Sequence, residues 1–283
     1  MMLSPIASAF DQARQASSAA FIPFLTAGWP EPKTFLEILA ALEDNGADLI
    51  EVGLPFSDPL ADGPAIQAAS RQALDQGVTP AKVLELVGQA KQRLACPLVL
   101  MTYYNPVLKA GLARFADLAS QAGLAGVIIP DLPPEEADDW LAEADRAGLE
   151  TIFMAAPTTP PARLKTILAR GRGFLYFVSL TGVTGADLAI SGELTAQLRL
   201  VKASSPLPVA VGFGVAGSNQ ARALAKEADG VIVGSALIRT IAGQKEKESQ
   251  VKAAALLAAS LKEALKIRPP KLNQTKKTCR EAL

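Results

Sequence analysis

The stretch DNGADLIEVG, residues 44–53, closes a helical pattern, turns at a glycine and enters a β-rich run. The same arrangement returns as QAGLAGVIIP at 121–130, RAGLETIFMA at 146–155 and KEADGVIVGS at 226–235. A helix end, usually closed by glycine, directly before a strand is one half of a βα unit, and its recurrence predicts an architecture built by repetition.

Working outward from these units, eight apolar runs rich in Val, Ile, Leu and Phe read as buried parallel strands. They are FIPFLTA from Phe21, LIEVGL from Leu49, LVLMTY from Leu98, GVIIP from Gly126, ETIFMAA from Glu150, FLYFVSL from Phe174, LPVAVGF from Leu207 and GVIVGS from Gly230. Amphipathic stretches of helical length lie between them, such as KTFLEILAALEDNG, AKVLELVGQAKQRL and PEEADDWLAEADRAG. Parallel strands need right-handed crossovers, so eight strands alternating with helices predict one closed (β/α)₈ TIM barrel with its active site at the C-terminal strand ends. An open doubly wound sheet is the alternative, but no strand is followed by a GxGxxG turn. The barrel is expected over 1–266. The remainder, 267–283, reads IRPPKLNQTKKTCREAL and is expected to be a disordered basic tail, with a docking role as the alternative.

Composition narrows the function. The 283 residues carry 28 basic and 28 acidic side chains, leaving no basic excess for nucleic acid. Two cysteines, Cys96 and Cys279, form no disulfide framework and suit a reducing, cytoplasmic compartment. The start, MMLSPIASAFDQARQASS, lacks a basic n-region, and Asp11 and Arg14 interrupt it, so no secretory segment is expected. No apolar run approaches the roughly 18 residues of a spanning helix. The plastid stroma becomes the expected compartment if a transit peptide has been removed. Histidine is absent, which excludes Ser-His-Asp triads and the common zinc sites. Acid–base work then falls to carboxylates, Tyr, Lys or Cys.

The polar groups at the strand ends are the candidates. Glu51 lies inside an apolar run, where a carboxylate is costly to bury without partners or a task. It is either a catalytic group or a buried glutamate held by hydrogen bonds. The loop after it, LPFSDPLADGP, adds Asp58, which reads as a turn-former, and Asp62, which can face Glu51 across a ligand. Gly182 and Gly185, then Gly212, Gly214 and Gly217, then Gly234 and Ser235 mark three glycine-rich loops after strands six, seven and eight. Such loops, with a short extra helix, form the recurrent barrel phosphate site. No strand run contains lysine, against a Schiff-base aldolase, and no ligand cluster supports a metal. The residues alone therefore suggest a phosphorylated substrate, a carboxylate pair and no cofactor.

PFLTAGWP, NGADLIEVGLPFSDPLADGPAIQAAS, FLYFVSLTGVTG, VGFGV and DGVIVGSAL, in that order between about Phe21 and Ile241, resemble the tryptophan synthase α-subunit family. EVGLPFSDPLADGP is the specific part. The resemblance implies retro-aldol cleavage of indole-3-glycerol phosphate to indole and glyceraldehyde 3-phosphate. It implies Glu51 as general acid–base and Asp62 as the second catalytic carboxylate. It also implies Tyr176 as an active-site tyrosine able to hydrogen-bond near Glu51, Phe21 in the indole pocket, and Gly185, Gly214, Gly234 and Ser235 around the phosphate. A β subunit is the implied partner in an α₂β₂ complex, holding pyridoxal phosphate that this chain lacks, with contacts from Pro55–Pro64 and around Asn105 and Pro106. The loops after strands two and six are expected to act as lids. A stand-alone lyase releasing free indole, a catalytically silent barrel and a phosphosugar isomerase are the other readings.

Overall fold

A computed structural model describes residues 4–178, 192–212, 214–215 and 217–266. Its strands are β1 (Ala20–Thr26), β2 (Ile50–Gly53), β3 (Leu98–Met101), β4 (Gly126–Ile128), β5 (Glu150–Ile152), β6 (Met154–Ala155), β7 (Leu175–Val178), β8 (Val209–Gly212) and β9 (Gly230–Val233). All pairings are parallel, in the order β5-β4-β3-β2-β1-β9-β8-β7-β6. The two ends of that order are consecutive in the chain. β5 pairs with β4, β6 pairs with β7, and only Phe153 separates them. Its carbonyl accepts from Tyr176 N–H at 3.1 Å. The expected fifth strand is thus one strand that changes partner at Phe153, and the sheet closes there as the eight-stranded barrel expected from the repeat.

The helices are α1 (Pro5–Gln15), α2 (Pro32–Asp44), α3 (Pro64–Asp75), α4 (Pro80–Lys91), α5 (Tyr104–Ala110), α6 (Leu112–Gln121), α7 (Asp138–Ala147), α8 (Pro161–Arg170), α9 (Gly192–Ser204), α10 (Ser218–Leu224), α11 (Ser235–Ala242) and α12 (Lys247–Ala264). Five of them begin on proline, whose fixed φ suits the first turn and whose missing N–H costs nothing there. The glycines of the repeat, Gly46, Gly123 and Gly148, have φ of 97°, 87° and 73°, the left-handed turn that ends each helix and feeds the next strand.

The aspartates of the repeat have a second task. Asp48 accepts from Phe21 N–H at 2.7 Å and pairs with Lys262 at 2.5 Å. Asp229 accepts from Val209 N–H at 2.9 Å and pairs with Lys202 at 2.7 Å. Each therefore fastens the start of a neighbouring strand and holds a helix against the barrel's N-terminal rim.

Two apolar layers result. Outside the barrel, strand residues such as Leu25, Val52 and Leu100 pack against α2, α4, α6, α7 and α12. Inside, Ile22, Leu49, Val99, Ile128, Ile152, Phe174, Ala210 and Ile232 fill the lumen. Ile6, Phe10 and Ala13 of α1 join this inner cluster, with Phe10 set 5.5 Å from Phe174. The N-terminal end of the lumen is thereby plugged, which leaves the C-terminal end as its open mouth.

Candidate active site

Alternation along β2 decides where Glu51 points. Leu49 belongs to the lumen cluster, and Val52 to the outer layer, so Glu51 faces inward. It is 1% exposed, and neither carboxylate oxygen has a hydrogen-bond partner among the described residues. Burial, with a further contribution from the negative charge of Asp62, pushes its pKa up to about 8. Loss of hydration without compensating bonds favours the neutral acid. The expected contact with Tyr176 is thus one of proximity: the two side chains share the lumen, but no hydrogen bond joins them.

Asp62 comes from the loop between β2 and α3. Turn bonds from Leu60 N–H to Asp58 and from Asp62 N–H to Pro59 shape this loop. Gln67 Nε2 donates to the Asp62 carbonyl at 2.8 Å. Asp62 is partly buried, and the loss of hydration raises its pKa to about 6. Asp58 has its carboxylate bonded to the neighbouring Ser57 hydroxyl at 2.5 Å, consistent with the turn-forming role.

Tyr176 lies on β7, facing the same lumen, with its hydroxyl over Gly212 of β8. Burial and the charges of Glu51 and Asp62 hold its pKa well above the usual value. Gly234 and Ser235 open α11, with Gly234 as its N-cap, and Gly214 has φ of 84°. Ser235 also approaches the β2 loop, its Oγ lying 3.8 Å from where a Cβ on Gly63 would be. Gly185, Gly182 and the loop after strand six lie outside the described residues.

Phe21 is a correction. On β1, Ala20, Ile22 and Phe24 join the lumen cluster, whereas Phe21 and Leu25 join the outer layer beneath the helices. Phe21 cannot line a pocket inside the barrel. Phe24 holds that position. Its ring lies over Gly53, where a Cβ would stand 2.4 Å from Cζ, and beside Gly234. Both faces of β1 are apolar, so composition carries no signal of which phenylalanine faces in; counting alternation in register with Glu51 would have found it. Tyr103, between β3 and α5, was likewise not singled out. Its hydroxyl accepts from Ala61 N–H at 2.9 Å, and its ring stacks on Phe56 with centroids 5.0 Å apart. Among the described residues no group of three or more His, Cys, Asp and Glu is arranged to hold a metal ion.

A closed parallel barrel, plugged below and carrying a buried and a partly buried carboxylate toward its upper mouth, defines the chain as a (β/α)₈ barrel of the enzyme type. The chain belongs to the tryptophan synthase alpha chain family, whose model matches residues 10–266. It is 43% identical to the tryptophan synthase alpha chain of Thermosynechococcus vestitus over 94% of this chain and 99% of the relative. It is 49% identical to that of Chloroflexus aurantiacus over 83% of this chain and 89% of the relative. The crystal structure of the tryptophan synthase alpha chain from Legionella pneumophila superposes with a TM-score of 0.86 at 36% identity, covering 93% of this chain and 98% of that one. No described helix is long and apolar enough to cross a membrane.

Proposed function

We propose that this chain cleaves indole-3-glycerol phosphate to indole and glyceraldehyde 3-phosphate, in the cytoplasm, as the lyase step of tryptophan biosynthesis. The observation that carries the reading is Glu51, inside the lumen with both oxygens unpartnered and its pKa pushed to about 8. A neutral carboxylic acid at that depth has a proton to give and no internal partner to give it to.

Glu51 delivers its proton to indole C3, which breaks ring aromaticity and places positive charge at the indole nitrogen. Asp62, which ionises above about 6, offset by its negative charge the cation that forms. Glu51, now a carboxylate, takes the proton of the glycerol hydroxyl adjoining the ring. The electrons of that O–H bond form the aldehyde carbonyl, the carbon–carbon bond breaks, and its pair restores the indole ring. Glu51 ends protonated, so the cycle needs no cofactor in this chain. Phe24 and the lumen supply the apolar surface for the indole. The phosphate is assigned to backbone N–H groups around Gly214, Gly234 and Ser235, with Gly185 from the sequence, where the N-terminus of α11 favours an anion.

A β subunit holding pyridoxal phosphate is the assigned partner, in an α₂β₂ complex that receives the indole. The segments assigned to that contact expose large apolar side chains: Leu60 is 94% exposed and Leu108 on α5 is 51% exposed. The test is indole release from indole-3-glycerol phosphate by purified protein, alone and with a β subunit. Glu51→Gln should cut turnover by at least about a hundredfold. Near-normal turnover in that variant would remove Glu51 from the mechanism.

A further inference from the structure

Asp62 sits in a loop whose own bonds are short-range, yet its carboxylate has to meet a ligand held by the rest of the barrel. Residues 55–62 are shaped by local turns, and Leu60 at the tip is 94% exposed. Among the described residues, the long-range hydrogen bonding into this segment comes from Tyr103. Its hydroxyl accepts from Ala61 N–H at 2.9 Å, one residue before Asp62. Its ring stacks on Phe56, at the other end of the same loop, with an interplanar angle of 25°.

Tyr103 is itself rigidly placed. It is 5% exposed and lies two residues beyond the end of β3. Thr102 N–H before it donates to the Ile128 carbonyl at 3.0 Å, and Tyr104 N–H after it donates to Asp131 at 2.8 Å. The backbone on either side is therefore tied to β4 and the segment following it. A rigid aromatic with two rotatable side-chain bonds can fix a loop at little entropic cost.

We propose that Tyr103 is a positioning residue for the reaction assigned above: it clamps both ends of the β2 loop and so fixes where the Asp62 carboxylate stands relative to Glu51. The inference rests on the proposed lyase reading for its kinetic consequence, but its structural content does not. The clamp acts through an amide hydrogen bond and a ring stack, both made to the β2 loop itself. Burial and the neighbouring Asp62 charge raise the Tyr103 pKa to about 12, so the hydroxyl stays neutral in the working range.

Tyr103→Phe preserves the ring on Phe56 and deletes only the acceptor. Two measurements follow. In the purified variant, hydrogen exchange at the Ala61 amide should speed up by at least about tenfold while amides of β2 and β3 keep their protection. With indole-3-glycerol phosphate, kcat should fall roughly tenfold or more and KM stay within about twofold, because orientation rather than binding is lost. In an Asp62→Asn background the same change should have no further effect on kcat. Unchanged Ala61 exchange overturns the clamp. An equal loss of kcat with and without Asp62 overturns the positioning role and leaves Tyr103 a structural residue. If the unmodified protein releases no indole, the lyase reading fails instead, and the exchange measurement still decides the clamp.

Discussion

Tyr176 occupies the space that any side chain at Gly212 would need. A Cβ there would lie 2.5 Å from Oη, 2.6 Å from Cε1 and 2.7 Å from Cζ. The glycine on β8 is what allows a tyrosine on β7 to reach across the lumen toward the two carboxylates. Gly212→Ala should displace the ring, cost about 1–3 kcal/mol through overpacking, and lower both the unfolding midpoint and indole release. A variant with the stability and turnover of the unmodified protein would show that the lumen has room to spare.

Burial of Glu51 makes a prediction about stability that opposes its effect on catalysis. The folded pKa of about 8 exceeds the ordinary 4.5. Between those values the folded chain keeps a proton that the unfolded chain releases, so stability from this group falls as pH rises through the window and levels off above it. At about 1.4 kcal/mol per unit, the penalty near pH 8 is on the order of a few kcal/mol. Glu51→Gln removes the titration. Denaturant unfolding from pH 5 to 9 should show the variant gaining on the unmodified protein steadily as pH rises, while its lyase activity stays low. Parallel curves would contradict the burial account.

The rate profile should be bell-shaped. The proposed mechanism needs Asp62 ionised and Glu51 protonated, so kcat/KM should rise through about pH 6 and decline through about pH 8. Asp62→Asn should abolish the acid limb in whatever activity remains. It should also move the alkaline limb downward, because the negative charge that helps hold the Glu51 proton is gone. An alkaline limb that stays in place would separate the two carboxylates electrostatically.

Phe21 and Phe24 differ by three positions and lie on opposite faces of β1. Phe24→Leu should raise KM for indole-3-glycerol phosphate several-fold, at about 25 cal/mol per Å² of lost apolar contact. Phe21→Leu should leave KM unchanged and lower the unfolding midpoint, through a packing defect under the helices. Steady-state kinetics and thermal unfolding on the two variants separate them, and a KM effect at Phe21 would restore it to the pocket.

The chain's own pattern settled the number and direction of the strands. Apolar runs of strand length, glycine turns such as Gly46 and Gly148, and prolines at helix starts are local signals, each read within a few residues. Glu51 was also legible locally, because a carboxylate inside an apolar run is conspicuous wherever the strand lies. Three things were not legible. The split of the fifth strand at Phe153 depends on barrel closure, which is a property of the whole ring. Which phenylalanine of β1 faces the lumen depends on register, since a strand buried on both faces shows no alternation in composition. Tyr103 has its role only because residues far apart in sequence, Phe56 and Ala61 on one side and β3 on the other, meet at the barrel mouth. Local sequence thus determined what the elements are and which carboxylates stand at their ends. Tertiary structure alone decided what those carboxylates face, because burial, parity and loop clamping are set by distant neighbours.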